Sequence, residues 1–124
     1  MRYQSKQYVR WDDLDAFGHV NNAVYLTYAQ EARFAWSGIL EMVVARAEVD
    51  FIAPIYDGDT FLDIELWVSA IGNSSFTMTY EIKMKGELVA RVKTVQVTVD
   101  MGTKKSHPID DEQRAFLTKY LETE

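Results

Sequence analysis

Three acidic side chains, Asp12, Asp13 and Asp15, stand directly before a glycine, a histidine and an Asn-Asn pair: Gly18, His19, Asn21 and Asn22. Neighbouring carboxylates raise one another's pKa, which can tune one member for base chemistry, whereas a solvated cluster does none. Asp12 and Asp13 read as solvated. Gly18 supplies a backbone conformation that other residues resist, or room for a ligand. Asn21 suits a helix N-cap, because its amide oxygen can accept an unpaired amide of the first turn. Asn22 then opens the helix with a free N–H, suited with the helix dipole to stabilising an oxyanion. An ordinary cap with no ligand is the other reading. His19 and His107 are the only histidines, and without a close carboxylate-rich spacing they do not predict a metal site. His19 either touches a substrate or holds the turn before the helix. Tyr25 reads as core, and Glu31, beside the apolar face, as exposed or as an interface or active-site carboxylate.

The element that must position these groups is a helix over residues 22–37. Tyr25, Tyr28, Ala29, Ala32 and Trp36 recur at steps of three and four and share one face, while Thr27, Gln30 and Arg33 fall off it. At about 1.5 Å per residue it spans roughly 24 Å, and Gly38 suits its left-handed C-terminal position. Ala23, Ala29, Ala32 and Ala35 allow a close approach by the strands.

Strand patterns surround the helix. Before it, Tyr3, Gln7, Val9 and Trp11 alternate with Arg2, Gln4, Lys6 and Arg10. After it, Val43, Ala45, Ala47, Val49 and Phe51 alternate with charges as far as Pro54, and Leu62, Ile64, Leu66 and Val68 repeat the pattern. Phe76, Met78, Tyr80, Ile82 and Met84 form another strand, joined through a tight turn at Gly86 and Glu87 to a last strand over residues 88–101. In that strand Arg91 and Lys93 share a face with Val95, Val97 and Val99. Residues 110–121 predict a short amphipathic helix. Strand, long helix, four strands and short helix make an α+β chain, with a curved antiparallel sheet wrapped around the one long helix. The uncovered sheet face and edges predict at least a dimer.

Composition narrows the function. The chain has 124 residues, expected to form one domain over 1–124, and 48% hydrophobic content sufficient for a core. With 13 basic and 19 acidic residues and a net charge of -6, no nucleic-acid partner is expected. The absence of cysteine excludes disulfides, thiolate metal sites and cysteine nucleophiles. No signal-peptide core and no apolar run of membrane-spanning length is present, so a cytoplasmic protein without a membrane partner is expected. There is no serine nucleophile elbow and no phosphate-binding glycine loop.

The run from Asp15 through Gly18, His19, Val20, Asn21 and Asn22 to Tyr25 resembles the signature of the hotdog-fold acyl-CoA thioesterases, in the 4-hydroxybenzoyl-CoA thioesterase-like group. The runs ARAEVDFIAPIYDGD (45–59) and IGNSSF (71–76) are also similar to that family's segments. The resemblance implies hydrolysis of an acyl-CoA without a cofactor. By it, Asp15 is the catalytic carboxylate, as nucleophile or as base for a water, and the Asn22 N–H polarises the thioester carbonyl. It implies further that Gly18, His19 and Tyr25 line the substrate site. Phe51, Ser74 and Ser75 would lie along the pantetheine arm, between the subunits of a homodimer or homotetramer. Two other readings remain: a hotdog hydratase or dehydratase using His19 with Asp15, and a non-catalytic acyl-thioester-binding protein. Lys83, Lys85, Arg91 and Lys93 are candidates for the CoA phosphates, or form a solvated sheet face.

Overall fold

The structure is a computed structural model that describes residues 1–37 and 41–123. Its elements run β1 (Tyr3–Val9), a 3-10 turn (Trp11–Asp13), α1 (Val24–Trp36), β2 (Met42–Phe51), β3 (Thr60–Ile71), β4 (Ser75–Met84), β5 (Glu87–Asp100), β6 (Lys105–Ser106) and α2 (Asp111–Lys119). One antiparallel sheet has the order β1-β3-β4-β5-β2, with the short β6 paired to β5. α1 packs across β1, β3 and β5, so the sheet wraps the helix as the sequence pattern predicts.

The inner face of the sheet follows the alternation. Leu62, Ile64, Leu66 and Val68 from β3, and Phe76, Met78, Tyr80 and Ile82 from β4, are buried beneath Tyr25, Tyr28, Ala29, Ala32 and Trp36 of α1. Ala29 and Ala32 are fully buried, which lets the helix sit close to the strands. α2 is capped by Asp110, whose side chain accepts the Gln113 N–H at 2.7 Å. It brings Phe116 and Tyr120 to within 5.1 and 5.5 Å of the Trp36 ring.

Several expectations are corrected. Regular helix begins at Val24 rather than Asn22, and residues 21–24 form a turn closed by the Val24 N–H on the Asn21 carbonyl at 3.0 Å. Asn21 is not the N-cap: that position falls to Ala23, which has no side-chain cap, and the Asn21 Oδ1 instead accepts the Ala23 N–H at 2.9 Å in a local turn before the helix. Gly38, expected as the C-terminal residue of the helix, lies outside the described residues. Trp11 leaves the inward row because β1 ends at Val9 and the chain turns, so its ring is exposed. The β4–β5 turn is Lys85 and Gly86, not Gly86 and Glu87; both have positive φ (51° and 84°), as a two-residue hairpin turn requires.

In β2 the register shifts between Val44 and Arg46. The bulge puts Val44, opposite Gln96, on the inner side with Ala47, Val49 and Phe51, while Val43 turns outward. The predicted row from Val43 through Ala45 is therefore broken. β2 is an edge strand, and Val43, Val44 and Phe51 are about half exposed.

Arg33, read as lying off the buried face, is 5% exposed. It donates from Nη1 to the Tyr80 hydroxyl at 2.9 Å. Tyr80 in turn pairs with Thr94 at 2.8 Å, which accepts from Gln96 at 2.6 Å. The inner face of β5 is thus polar at Thr94, Gln96 and Thr98, while Val95 and Val97 face outward with Arg91 and Lys93.

Candidate active site

Asp15 opens a tight hairpin. Leu14 and Val20 pair as an isolated bridge, the Asp15 N–H donates to His19 O at 2.9 Å, and the Gly18 N–H donates to Asp15 O at 3.0 Å. Gly18 closes the turn with φ +81°; a Cβ there would meet nothing within 4 Å, so the requirement is the left-handed backbone and not space. Asp15 Oδ1 accepts the Phe17 N–H at 2.8 Å. Its Oδ2 faces His19 Nδ1 at 3.7 Å, beyond hydrogen-bond length, and the carboxylate is a quarter exposed. One oxygen is therefore held by the loop and the other is open.

The hairpin is tied down at its far strand by the Val20 N–H on Ile55 O at 2.8 Å, and at its exit by the Asn21 N–H on Asp13 O at 2.9 Å. The next N–H, that of Asn22, has no protein partner among the described residues. Asn22 is exposed and sits in the turn that feeds α1, two residues before the first helical residue, Val24.

Two adjoining cavities surround these groups. One of about 570 Å³ is lined by Trp11, Asp12, Leu14, Asp15, Gly18 and Tyr56. The other, about 160 Å³, is lined by residues that include His19, Asn22, Tyr25, Phe51 and Ile52. The His19 and Tyr56 rings, one from each cavity, meet edge to face at 6.3 Å, and Phe17, 85% exposed, stacks on His19 at 6.4 Å. Tyr25 is buried and packs edge to face on Phe51 at 5.1 Å; burial raises its phenol above the ordinary value, against a bond to the Ile55 backbone. The structure thus puts Asp15 and Gly18 on one cavity and His19, Asn22, Tyr25 and Phe51 on its neighbour, with His19 joining the two.

It does not bring Ser74 and Ser75 to them within one chain. Phe51 pairs with Ala90 and Ser75 with Val97, and positions 90 and 97 are roughly 23 Å apart along β5 at about 3.3 Å per residue. The expected phosphate cations lie on the outer side of the sheet or in its turn and are engaged: Lys83 with Glu65 at 3.7 Å, Lys85 with Asp57 at 3.3 Å and Arg91 with Glu81 at 2.7 Å. Glu31 is exposed, and no trio of metal-ligating side chains converges among the described residues.

Asp13 is the clearest correction. Read as solvated, it is 3% exposed. Its Oδ2 accepts the Tyr28 hydroxyl at 2.8 Å and the Arg10 N–H at 3.0 Å, and its Oδ1 the Arg10 guanidinium at 3.1 Å. Burial works to raise its pKa, but these bonds outweigh it and hold the carboxyl below its ordinary range. Tyr28 is shifted the other way, upward, by burial and by the Asp13 charge. Tyr56, Trp11 and Phe17 were also missed. For Tyr56 a signal existed: an aromatic between Pro54 and Gly58, in a stretch with no alternation to bury it.

Residues 9–117 match the thioesterase-like superfamily. The 1,4-dihydroxy-2-naphthoyl-CoA hydrolase of Synechococcus elongatus is 27% identical, covering 93% of this chain and 94% of its own. The long-chain acyl-CoA thioesterase FadM of Escherichia coli is 26% identical, covering 95% and 98%. A Thermus thermophilus thioesterase, solved as a complex with coenzyme A and Zn, superimposes with a TM-score of 0.85 at 32% identity, covering 94% of this chain and 92% of that one. A predicted thioesterase from Bacillus stearothermophilus has the same fold, with a TM-score of 0.92 at 23% identity and coverage of 100% and 99%. In sequence and in its sheet wrapped around a helix, the chain belongs to the thioesterase-like superfamily and is a thioester hydrolase of hotdog fold.

Proposed function

We propose that this chain hydrolyses an acyl-CoA to the free acid and CoA, with Asp15 as the catalytic carboxylate and the Asn22 N–H as the oxyanion donor. The observation that carries this is a pair of polar groups without hydrogen bonds among the described residues, each on a residue that lines one of the neighbouring cavities: the Asp15 oxygen that faces only His19 at 3.7 Å, and the Asn22 amide. A thioester carbonyl held against the Asn22 N–H becomes more electrophilic and keeps that hydrogen bond as its oxygen gains charge. Asp15 Oδ2 then either attacks the carbonyl carbon, releasing CoA thiolate and leaving a mixed anhydride for water to open, or removes a proton from an attacking water. Both routes give one acid and one CoA.

The pantetheine arm would run past Phe51 of one subunit and Ser74 and Ser75 of another. That reading fits their separation within one chain and the open, half-exposed β2 edge, and it makes the working unit a homodimer or a homotetramer. The relatives named above act on an aromatic and on a long-chain acyl group, so the assay must span both.

The test is thiol release from acyl-CoAs of differing acyl size, with wild type and Asp15→Asn. Saturable release by wild type, and at least about a hundredfold loss in a folded Asp15→Asn protein, is the expected outcome. Near-normal turnover in that variant removes Asp15 from the mechanism. Tight acyl-CoA binding without turnover by wild type makes the chain a binding protein instead.

A further inference from the structure

A carboxylate buried as deeply as Asp13 is costly unless it is paired and hydrogen-bonded, as Asp13 is to Tyr28 and Arg10. Its bonds go to separate parts of the candidate site. Through its side chain it is held by Tyr28, in the second turn of α1. Through its main-chain carbonyl it receives the Asn21 N–H at 2.9 Å, one residue before the free amide of Asn22. Two residues after it comes Asp15, at the mouth of the hairpin. The bonds of Asp13 therefore join the segment that carries Asp15 both to α1 and to the turn that carries Asn22.

We infer that Asp13 and Tyr28 are positioning residues for thioester hydrolysis: the Tyr28 hydroxyl, held on Asp13 Oδ2, fixes the spacing between the Asp15 carboxylate and the Asn22 N–H. The inference rests on the roles proposed for Asp15 and Asn22. Neither Asp13 nor Tyr28 lines the two cavities that hold those groups, so neither touches the acyl-CoA there. Their effect is on geometry alone. Reaction between oriented groups is steeply sensitive to placement, and a misplacement of about 1 Å can cost on the order of a hundredfold in rate.

The chemistry of Asp13 gives a specific pattern. Both of its buried bonds, from Tyr28 and from the Arg10 N–H, end on the same oxygen, Oδ2. The other oxygen meets only the Arg10 guanidinium, on a side chain that is two-thirds exposed and can turn to water. Asp13→Asn with its carbonyl at the Oδ2 position keeps both buried bonds. Asp13→Ala keeps neither, and Tyr28→Phe loses the one that reaches α1.

The experiment measures kcat and KM for an acyl-CoA that wild type hydrolyses, in Tyr28→Phe, Asp13→Ala, Asp13→Asn, Asp15→Asn and the double variant Asp15→Asn with Tyr28→Phe. Circular dichroism selects the folded variants. Tyr28→Phe and Asp13→Ala should lose about ten- to a hundredfold in kcat with KM held within about twofold, and Asp13→Asn should keep kcat within about threefold of wild type. The double variant should be no slower than Asp15→Asn alone, because the strut acts through Asp15. Normal kcat in folded Tyr28→Phe, or a full multiplicative loss in the double variant, overturns the inference. Should Tyr28→Phe and Asp13→Ala fail to fold, Asp13→Asn decides alone: a loss of tenfold or more shows that charge, and not the shared oxygen, is what matters. A dead Asp15→Asn with normal Tyr28→Phe sinks only the strut, whereas a normal Asp15→Asn sinks the mechanism beneath it.

Discussion

Replacing Asn22 separates its backbone from its side chain. The Asn22 N–H makes no bond to the protein among the described residues, so proline there removes a donor the fold does not use. Asn22 is the second residue of the turn closed between Asn21 and Val24, where proline is favoured, and Ala23 already has helical angles of φ -67° and ψ -23°. The Ala23 N–H on Asn21 Oδ1 and the Val24 N–H on Asn21 O both survive the change. Stability should therefore move by no more than about 1 kcal/mol, the usual scale for a compatible proline. If the amide holds the oxyanion, kcat should fall about 10²–10³-fold, or roughly 2.7–4 kcal/mol of transition-state stabilisation. Asn22→Ala keeps the N–H and should keep most of the activity. Thiol release gives the rates; thermal melting and size-exclusion chromatography show whether both variants are folded and assembled as wild type. A folded proline variant with normal turnover refutes the reasoning, and a dead alanine variant moves the role to the side-chain amide.

Two further outcomes follow from buried polar groups. Asp13 is held below its ordinary pKa, so the stability it contributes is complete above the unfolded value of about 4 and is lost as pH falls through the lower folded value. Urea melts of wild type and Asp13→Asn should differ by a constant amount from pH 7 to about 5 and converge in acid; a gap that persists unchanged below about pH 3 contradicts this. Arg33 is buried with its Nε unpartnered; among the described residues its guanidinium meets the Tyr80 hydroxyl and lies 5.8 Å from the Phe34 ring centroid. Arg33→Met leaves the Tyr80–Thr94 bond in place and should be neutral or stabilising by about 1–4 kcal/mol, and a loss above about 2 kcal/mol in chemical denaturation would show that the contacts with Tyr80 and Phe34 outweigh the cost of burying the charge.

Periodicity carries the fold in this chain because the inner rows of β3 and β4 are dry along their length while most of the residues between them reach water. Leu62 through Val68 and Phe76 through Ile82 therefore report their own burial, as do Tyr25, Tyr28, Ala29, Ala32 and Trp36 on α1. The same signal fails where one residue is inserted. The bulge between Val44 and Arg46 reverses the faces on either side of it, and alternation alone does not mark an inserted residue when valine and alanine stand on both sides. It also fails where polar groups pair through space. Valines at 95 and 97 opposite Thr94 and Gln96 signalled a change in the last strand, but the cause is Arg33, far away in sequence, reaching the hydroxyl of Tyr80. Asp13 is illegible for the same reason: its burial depends on a hydroxyl fifteen residues further on.

The candidate site is more legible than these, because its key groups are left open by bonds that are local. Three of the amides of residues 15–19, those of Asp15, Phe17 and Gly18, find acceptors inside the loop, and one carboxylate oxygen is consumed. At the helix entry, Asn21 spends its amide oxygen on Ala23 and its carbonyl on Val24, passing over the residue between. A short loop closed by Gly18 and a turn opened by Asn21 each fix the backbone while leaving Asp15 Oδ2, which faces only His19 at 3.7 Å, and the Asn22 N–H free of hydrogen bonds among the described residues. A spacing of seven positions, from Asp15 to Asn22, holds both openings, so short-range sequence is enough to point to them. What short-range sequence does not hold is the distance between the two openings, which depends on how Asp13 and Tyr28 join the loop to α1.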